Sequence, residues 1–316
     1  MSAKTAFVFP GQGSQSVGML SDMSEQHVAI VQTFGEASDR LGFDLWKLVC
    51  EGPDSELNKT EFTQPAILAA SVAMWRVWQA CGGDAPELLA GHSLGEYSAL
   101  VCAGVIEFGD AAALVRKRGQ LMQAAVPEGV GAMAAILGLE DAVIAQACDQ
   151  AAEGEVVAAV NFNSPGQVVI AGHNAAVERA IELCKEAGAK RALKLGVSVP
   201  SHCVLMETAA KQLAEQLAET TINVPEIPVV HNVNGETTSD PDKIRENLVL
   251  QLYQPVLWVN CVGLMSAGNI EVAVECGPGK VLSGLIKRID RSIAPFAIGS
   301  AAGLDKAIET LVGGAV

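Results

Sequence analysis

The sequence predicts an α/β fold, a large domain of strands and helices interrupted in its middle by a small ferredoxin-like subdomain. Three observations predict it. Short apolar β-type runs alternate with longer helical patterns up to about residue 126. From there to residue 198 the order is strand, helix, two strands, helix, strand, the order of a ferredoxin-like unit. After Pro200 the first texture returns, so the expected division is 1–126 with 199–316 for the large domain and 127–198 for the insert.

The first segment, TAFVFPGQGSQ, is a β-type run that stops at Pro10 in a glycine-rich loop. Helical patterns follow around Val28 to Leu41 and from Thr63 to Ala80. The second is expected to hold Pro65 in its first turn, where a missing N–H is tolerated, and to end at Gly82-Gly83. Met74, Trp75 and Trp78 on it read as core. ELLAGHSLGEYSALVCAG is a short strand breaking sharply into a helix, and another helix runs from Asp110. In the insert, GAMAAILGL is strand-like, EDAVIAQACDQAA helical, VVAAVNFNSPGQVVIAG a hairpin around Asn163-Ser164-Pro165-Gly166, VERAIELCKEAGA helical and RALKLGVS a strand. A long helix, the strands IPVVHNVNG and IEVAVECG, and an amphipathic helix through Leu304, Ile308, Leu311 and Val312 complete the chain.

Half of the 316 residues are hydrophobic and 18% are charged, the balance of a soluble globular protein. No mostly apolar run reaches the roughly 20 residues needed to span a bilayer. The N-terminal run is cut by Pro10 and Gly11, unlike a secretory signal, so the expected location is the cytoplasm, without membrane association. The eight cysteines stand singly and never as C-x-x-C, and they read as buried reduced thiols with no zinc site. A formal charge of -15 argues against non-specific nucleic-acid binding.

Gly91-His92-Ser93-Leu94-Gly95 fits G-x-S-x-G, the nucleophile elbow, in which glycines let backbone pass close on both sides of a strained turn and leave the serine hydroxyl exposed. Its position between strand and helix makes Ser93 the candidate nucleophile. Of the five histidines, His27 and His173 read as surface or turn residues, His92 is too close in sequence to serve its neighbour, and His231 sits mid-strand. His202 is expected to open a helix with Ser201 as N-cap, and the positive end of that helix would keep its ring neutral. It is either the general base or a half-buried capping histidine.

Arg118 is the physical anomaly. At ~100° per residue it falls in the middle of the apolar stripe Leu114, Leu121, Met122 and Ala125, while Arg116 points away. A buried guanidinium wants an anion, supplied either by a protein carboxylate or by a ligand. The loops Gly11–Ser16 and Gly277–Lys280 fail the dinucleotide and P-loop patterns, and no metal-ligand spacing stands out.

Taken together, FPGQGSQ from Phe9, GHSLGEY from Gly91, RGQLMQ from Arg118, VPSH from Val199, QLYQPV from Gln251 and ECGPGKVL from Glu275 closely resemble the malonyl-CoA:acyl carrier protein transacylases of fatty-acid synthesis, and more loosely the acyltransferase domains of polyketide synthases. The resemblance covers nearly the whole chain. It implies an α/β-hydrolase-like large domain with a ferredoxin-like subdomain and an active site between them. It further implies Ser93 as nucleophile, His202 as general base and acid, and Arg118 as partner of the malonyl carboxylate. The backbone N–H groups of Gln12 and Leu94 would form the oxyanion hole, the backbone carbonyl of Gln251 would orient His202, and Met122 and Asn163 would line the acyl pocket. The implied partners are malonyl-CoA and acyl carrier protein. No cofactor is implied, since coenzyme A and phosphopantetheine act as substrate carriers.

Two rival readings share these features. A serine esterase or thioesterase has the same elbow with water as acceptor, and a carrier-binding scaffold needs no chemistry at all.

Overall fold

The computed structural model describes residues 3–127, 129–197 and 199–313. Two separate sheets organise the chain. The first has five strands in the order β7-β2-β1-β8-β9, formed by β1 Thr5–Phe9, β2 Leu88–Gly91, β7 Val229–Val230, β8 Val272–Glu275 and β9 Ala294–Ala297, all parallel. The second is antiparallel in the order β4-β5-β3-β6, formed by β3 Gly131–Leu137, β4 Val157–Ser164, β5 Gln167–His173 and β6 Arg191–Lys194. The α/β class and the strand-helix-strand-strand-helix-strand order read from the sequence are both present.

The parallel sheet is covered on both faces, and its sequence shows why. Along β1, Phe7 and Phe9 enter one core cluster while Ala6 and Val8 enter another on the opposite face, the two-residue alternation of a strand buried on both sides. Val272 and Val274 of β8 join the first cluster and Ala273 the second. The expected core residues Met74, Trp75 and Trp78 are buried, and Phe7 meets the rings of Trp75 and Trp78 edge-on with centroids 5.3 Å apart.

Helix Thr60–Ala80 begins earlier than its sequence suggests, so Pro65 stands inside it rather than in its first turn. Tertiary packing explains the extension. Gly119 of helix Phe108–Ala125 lies so close to this first turn that a Cβ there would stand 2.7 Å from the Thr60 carbonyl oxygen. That close approach brings Gln64 against Arg118.

Other differences are local. IPVVHNVNG keeps only Val229–Val230 as strand, with His231 directly after it rather than mid-strand. Helices Pro241–Gln251, Trp258–Ala267 and Val281–Ile289 and strand β9 were not anticipated. The strand read in RALKLGVS spans Arg191–Lys194, and its last residue, Ser198, lies outside the described residues. All eight cysteines are free thiols, but Cys50, Cys81 and Cys102 are only half-buried, because each sits on a helix end where packing is incomplete. Among the described residues no helix is long and apolar enough to cross a membrane, and no group of His, Cys, Asp and Glu is placed to hold a metal ion.

Candidate active site

β2 delivers the elbow. A Cβ on Gly91 would lie 1.9 Å from the Gly95 carbonyl carbon, and one on Gly95 would lie 2.0 Å from the Phe9 carbonyl oxygen, so both positions admit glycine alone. Ser93 sits at φ 53°, left-handed backbone that a side chain rarely adopts. The turn leads straight into helix Gly95–Cys102, and the sharp bend lifts the Ser93 hydroxyl off the sheet edge.

His202, 109 residues further along the chain, reaches that hydroxyl with Nε2 2.8 Å from Ser93 Oγ. The local structure is not the expected one. His202 lies at φ 65° ahead of a short 3₁₀ turn, Val204–Met206, and the α-helix starts only at Glu207 with Met206 as its N-cap residue, so Ser201 caps nothing. What holds the ring is the C-terminus of helix Pro241–Gln251, whose last carbonyls have no partner within the helix. The Gln251 carbonyl oxygen accepts from His202 Nδ1 at 2.7 Å, and the Leu252 carbonyl accepts from the His202 N–H at 3.1 Å. With Nδ1 donating, Nε2 carries the lone pair that faces Ser93. Burial, and next the nearby Arg118 charge, push the His202 imidazole down to about 3 against a smaller upward pull from the Gln251 carbonyl. The ring is neutral, as the sequence suggested, but through burial and Arg118 rather than a helix N-terminus.

Arg118 is fully buried on helix Phe108–Ala125. One terminal nitrogen donates to Gln64 Oε1 at 2.9 Å; the other donates to Gln251 Oε1 at 3.1 Å and lies 3.5 Å from Ser93 Oγ. Its carbon sits 5.4 Å over the Tyr97 ring. Among the described residues no carboxylate forms an ion pair with it. Of the two alternatives the sequence left open, a direct protein-carboxylate pair is not formed, although the buried Glu96 acts on the guanidinium through its charge. Arg116 does point away, stacking over Phe43 and donating to the Leu41 carbonyl.

The remaining expected residues surround this trio. The backbone N–H groups of Gln12 and Leu94 donate to no acceptor among the described residues, whereas the Ser93 N–H is taken by Asn232 Oδ1 at 2.7 Å. Gly11 fixes the Gln12 loop against the elbow, since a Cβ there would lie 2.6 Å from the His92 carbonyl oxygen. Met122 is buried with its sulfur 3.4 Å from Gln64 Nε2. Asn163, at the end of β4, bonds His92 at 2.8 Å between Oδ1 and Nε2, a contact from the antiparallel sheet to the elbow. Sequence reasoning missed Gln64, Glu96, His231, Asn232 and the side chain of Gln251. Glu96 stands within the GHSLGEY motif, and the others carry no signal beyond their polarity.

Residues 6–304 match the family model described as the acyl transferase domain. The chain belongs to that acyl transferase family. Among relatives of this acyl transferase, the malonyl CoA-acyl carrier protein transacylase of Escherichia coli (strain K12) is 60% identical over 304 residues, spanning 96% of this chain and 98% of the relative. The enzyme of the same name from Bacillus subtilis (strain 168) is 44% identical over 310 residues, with 98% of each chain covered. The acyl carrier protein S-malonyltransferase of Vibrio cholerae superposes with a TM-score of 0.94 at 62% identity, over 96% of this chain and all (100%) of that one. A malonyl-transacylase solved in complex with its type II PKS acyl-carrier protein superposes with a TM-score of 0.96 at 56% identity, over 98% of this acyl transferase and 100% of that chain.

Proposed function

We propose that this acyl transferase moves the malonyl group of malonyl-CoA onto the phosphopantetheine thiol of acyl carrier protein through a malonyl ester on Ser93, supplying fatty-acid elongation. It works in the cytoplasm, and coenzyme A and phosphopantetheine serve only as carriers. In this reading residues 127–198 are the insert, and residues 1–126 with 199–316 form the catalytic domain.

The observation that carries it is Arg118, a fully buried guanidinium 3.5 Å from the Ser93 hydroxyl with no carboxylate partner among the described residues. A fork of donors there suits a substrate carboxylate, which a plain acetyl group lacks. His202 Nε2 takes the Ser93 proton as Oγ attacks the malonyl thioester carbonyl. The oxyanion is held by the N–H groups of Gln12 and Leu94, and the tetrahedral intermediate collapses as the imidazolium protonates the departing coenzyme A sulfur. In the second half His202 deprotonates the carrier thiol, which attacks the ester; Ser93 leaves and recovers its proton. The Gln251 carbonyl, in the place where other triads put a carboxylate, holds the tautomer throughout. Met122 and Asn163 line the space for the acyl chain.

Mass spectrometry of the protein after incubation with malonyl-, acetyl- and methylmalonyl-CoA tests this. Malonyl-CoA should leave a stable adduct on Ser93 that only a thiol discharges. An adduct that water removes at once points to a thioesterase, and no adduct at all points to a carrier-binding scaffold.

A further inference from the structure

The reacting residues do not use the most buried carboxylate near them. Glu96, three residues past the nucleophile and fully buried, accepts three hydrogen bonds: from His231 Nδ1 at 2.7 Å on one oxygen, and from the Asn232 N–H at 3.0 Å and Gln251 Nε2 at 2.8 Å on the other. Each of the last two partners then touches the reaction centre. Asn232 brackets the elbow, accepting from the Ser93 N–H at 2.7 Å and donating to the Gly91 carbonyl at 2.7 Å. The Gln251 amide donates also to the Ser93 carbonyl at 2.9 Å, and its oxygen accepts from Arg118 at 3.1 Å.

We infer that Glu96 is a positioning residue, which fixes the Gln251 amide so that its oxygen faces Arg118 and its nitrogen faces the elbow. An amide can sit either way round unless its neighbours decide. Here an acceptor-only carboxylate claims the NH₂ end, and the donor-only guanidinium receives the oxygen. Without the carboxylate the NH₂ end keeps only the Ser93 carbonyl and, at 3.4 Å, Asn232 Oδ1, so its hold weakens, and any turn of the NH₂ toward Arg118 would set two groups of donors together and shift the guanidinium. The same carboxylate anchors Asn232, and through it the left-handed backbone of Ser93. A buried group bound at all three of its neighbours' donors acts as one unit with them. Glu96 touches no reacting atom, so its effect passes through Gln251 and Asn232.

This inference rests on the Ser93 and Arg118 reading above. The test is single-turnover acylation, counted per folded active site, with malonyl-CoA and acetyl-CoA as donors, for Glu96→Gln and, should that variant fold poorly, Glu96→Asp, which keeps the charge but withdraws it by one methylene. In Glu96→Gln the malonyl rate constant should fall on the order of 100-fold and the acetyl one on the order of 10-fold, because only malonyl depends on the arginine's placement. Glu96→Asp should show the same bias with smaller falls. Unchanged rate constants per folded site, or equal falls for the two donors, would overturn the inference. Arg118→Ala is measured in parallel. If it collapses the malonyl-to-acetyl ratio while the Glu96 variants leave it intact, only the positioning role fails; if it leaves the ratio intact, the Arg118 reading fails and this inference with it.

Discussion

Ser93 and His202, with Oγ and Nε2 2.8 Å apart, both stand in left-handed backbone, at φ 53° and 65°. Neither is glycine, so the fold holds both partners of the reacting pair in a conformation that disfavours a Cβ. Removing the chemistry is the first check on them. Ser93→Ala should form no acyl-enzyme, and His202→Ala should form it several powers of ten more slowly, since each belongs to one catalytic unit. Normal covalent loading by either variant, read by mass spectrometry, contradicts the assignment.

The shared backbone strain predicts an inverted order of stability. In ordinary helix or strand, glycine is less stable than alanine. At positions 93 and 202 the glycine variant should instead be more stable than the alanine variant, by about 1 kcal/mol, because alanine keeps the left-handed cost. Thermal unfolding of Ser93→Gly against Ser93→Ala, and of the same pair at 202, decides it; the usual alanine-over-glycine order would mean that the surroundings relax.

His202 predicts how stability responds to acid. Its folded value is pushed down to about 3, below the ordinary imidazole range, so the native state refuses a proton that the unfolded chain accepts. Stability tied to this group is fully present above about pH 6.5, and it drains away as pH falls toward the folded value. A His202→Gln variant should therefore lose less stability than the parent between about pH 6.5 and 4. Loading Ser93 with malonyl should move the His202 value upward, since the carboxylate offsets the Arg118 charge that helps to depress it. Histidine carbon shifts in NMR report both; an imidazole that titrates near 6.5 in the free protein contradicts the burial argument.

Much of this site is legible in the sequence. The elbow declared itself because Gly91 is demanded by the turn itself and Gly95 by the neighbouring strand end at Phe9, and the two glycines flank the serine as a short pattern. Arg118 declared itself because a charge on an apolar stripe breaks helical periodicity. The surroundings of His202 were misread for the complementary reason. Val199-Pro200-Ser201 looks like the entry to a helix, but the ring is bound by a carbonyl 49 residues further on, which only the resemblance, and no local pattern, implied. Gln64 and Asn232 left no pattern either. A single polar residue in an apolar run looks the same whether it faces water or a partner from another element. The late helices each bury one stripe, such as Trp258, Cys261, Val262 and Met265, but they are only nine to eleven residues long and follow one another closely, so each stripe is short.

Lys190, Arg191 and Lys194 form a basic cluster at and beside β6 in a chain of net charge -15, and the carrier is expected to dock there. Lys194 is engaged by Glu178 at 2.8 Å and by Asn174, whereas Lys190 and Arg191 are exposed beside it at the sheet edge. Reversing the charge of Lys190 and Arg191 together should raise the apparent KM for the carrier, most at low salt, while malonyl-CoA kinetics stay nearly unchanged. Lys194→Glu alone should act less, because its charge is already shared. Equal effects on both substrates would place docking on another face.

Arg118 gives the sharpest test, because the structure has removed its simplest alternative partner. Its donors go to the side-chain oxygens of Gln64 and Gln251, neutral acceptors that position the fork without neutralising it. A substrate carboxylate entering beside Ser93 would supply the direct ion pair that the distant Glu96 does not make. Arg118→Ala leaves that carboxylate unpaired in a dry pocket, a cost of about 3–5 kcal/mol, or about two to three and a half powers of ten in kcat/KM for malonyl-CoA. Acetyl-CoA brings no carboxylate, so its efficiency should hold or improve. The ratio of the two efficiencies in the folded variant is the quantity to measure. A ratio near the parent value would mean that the buried guanidinium serves only the packing of Gln64 and Gln251, and selectivity would then have to come from the shape of the space beside Met122.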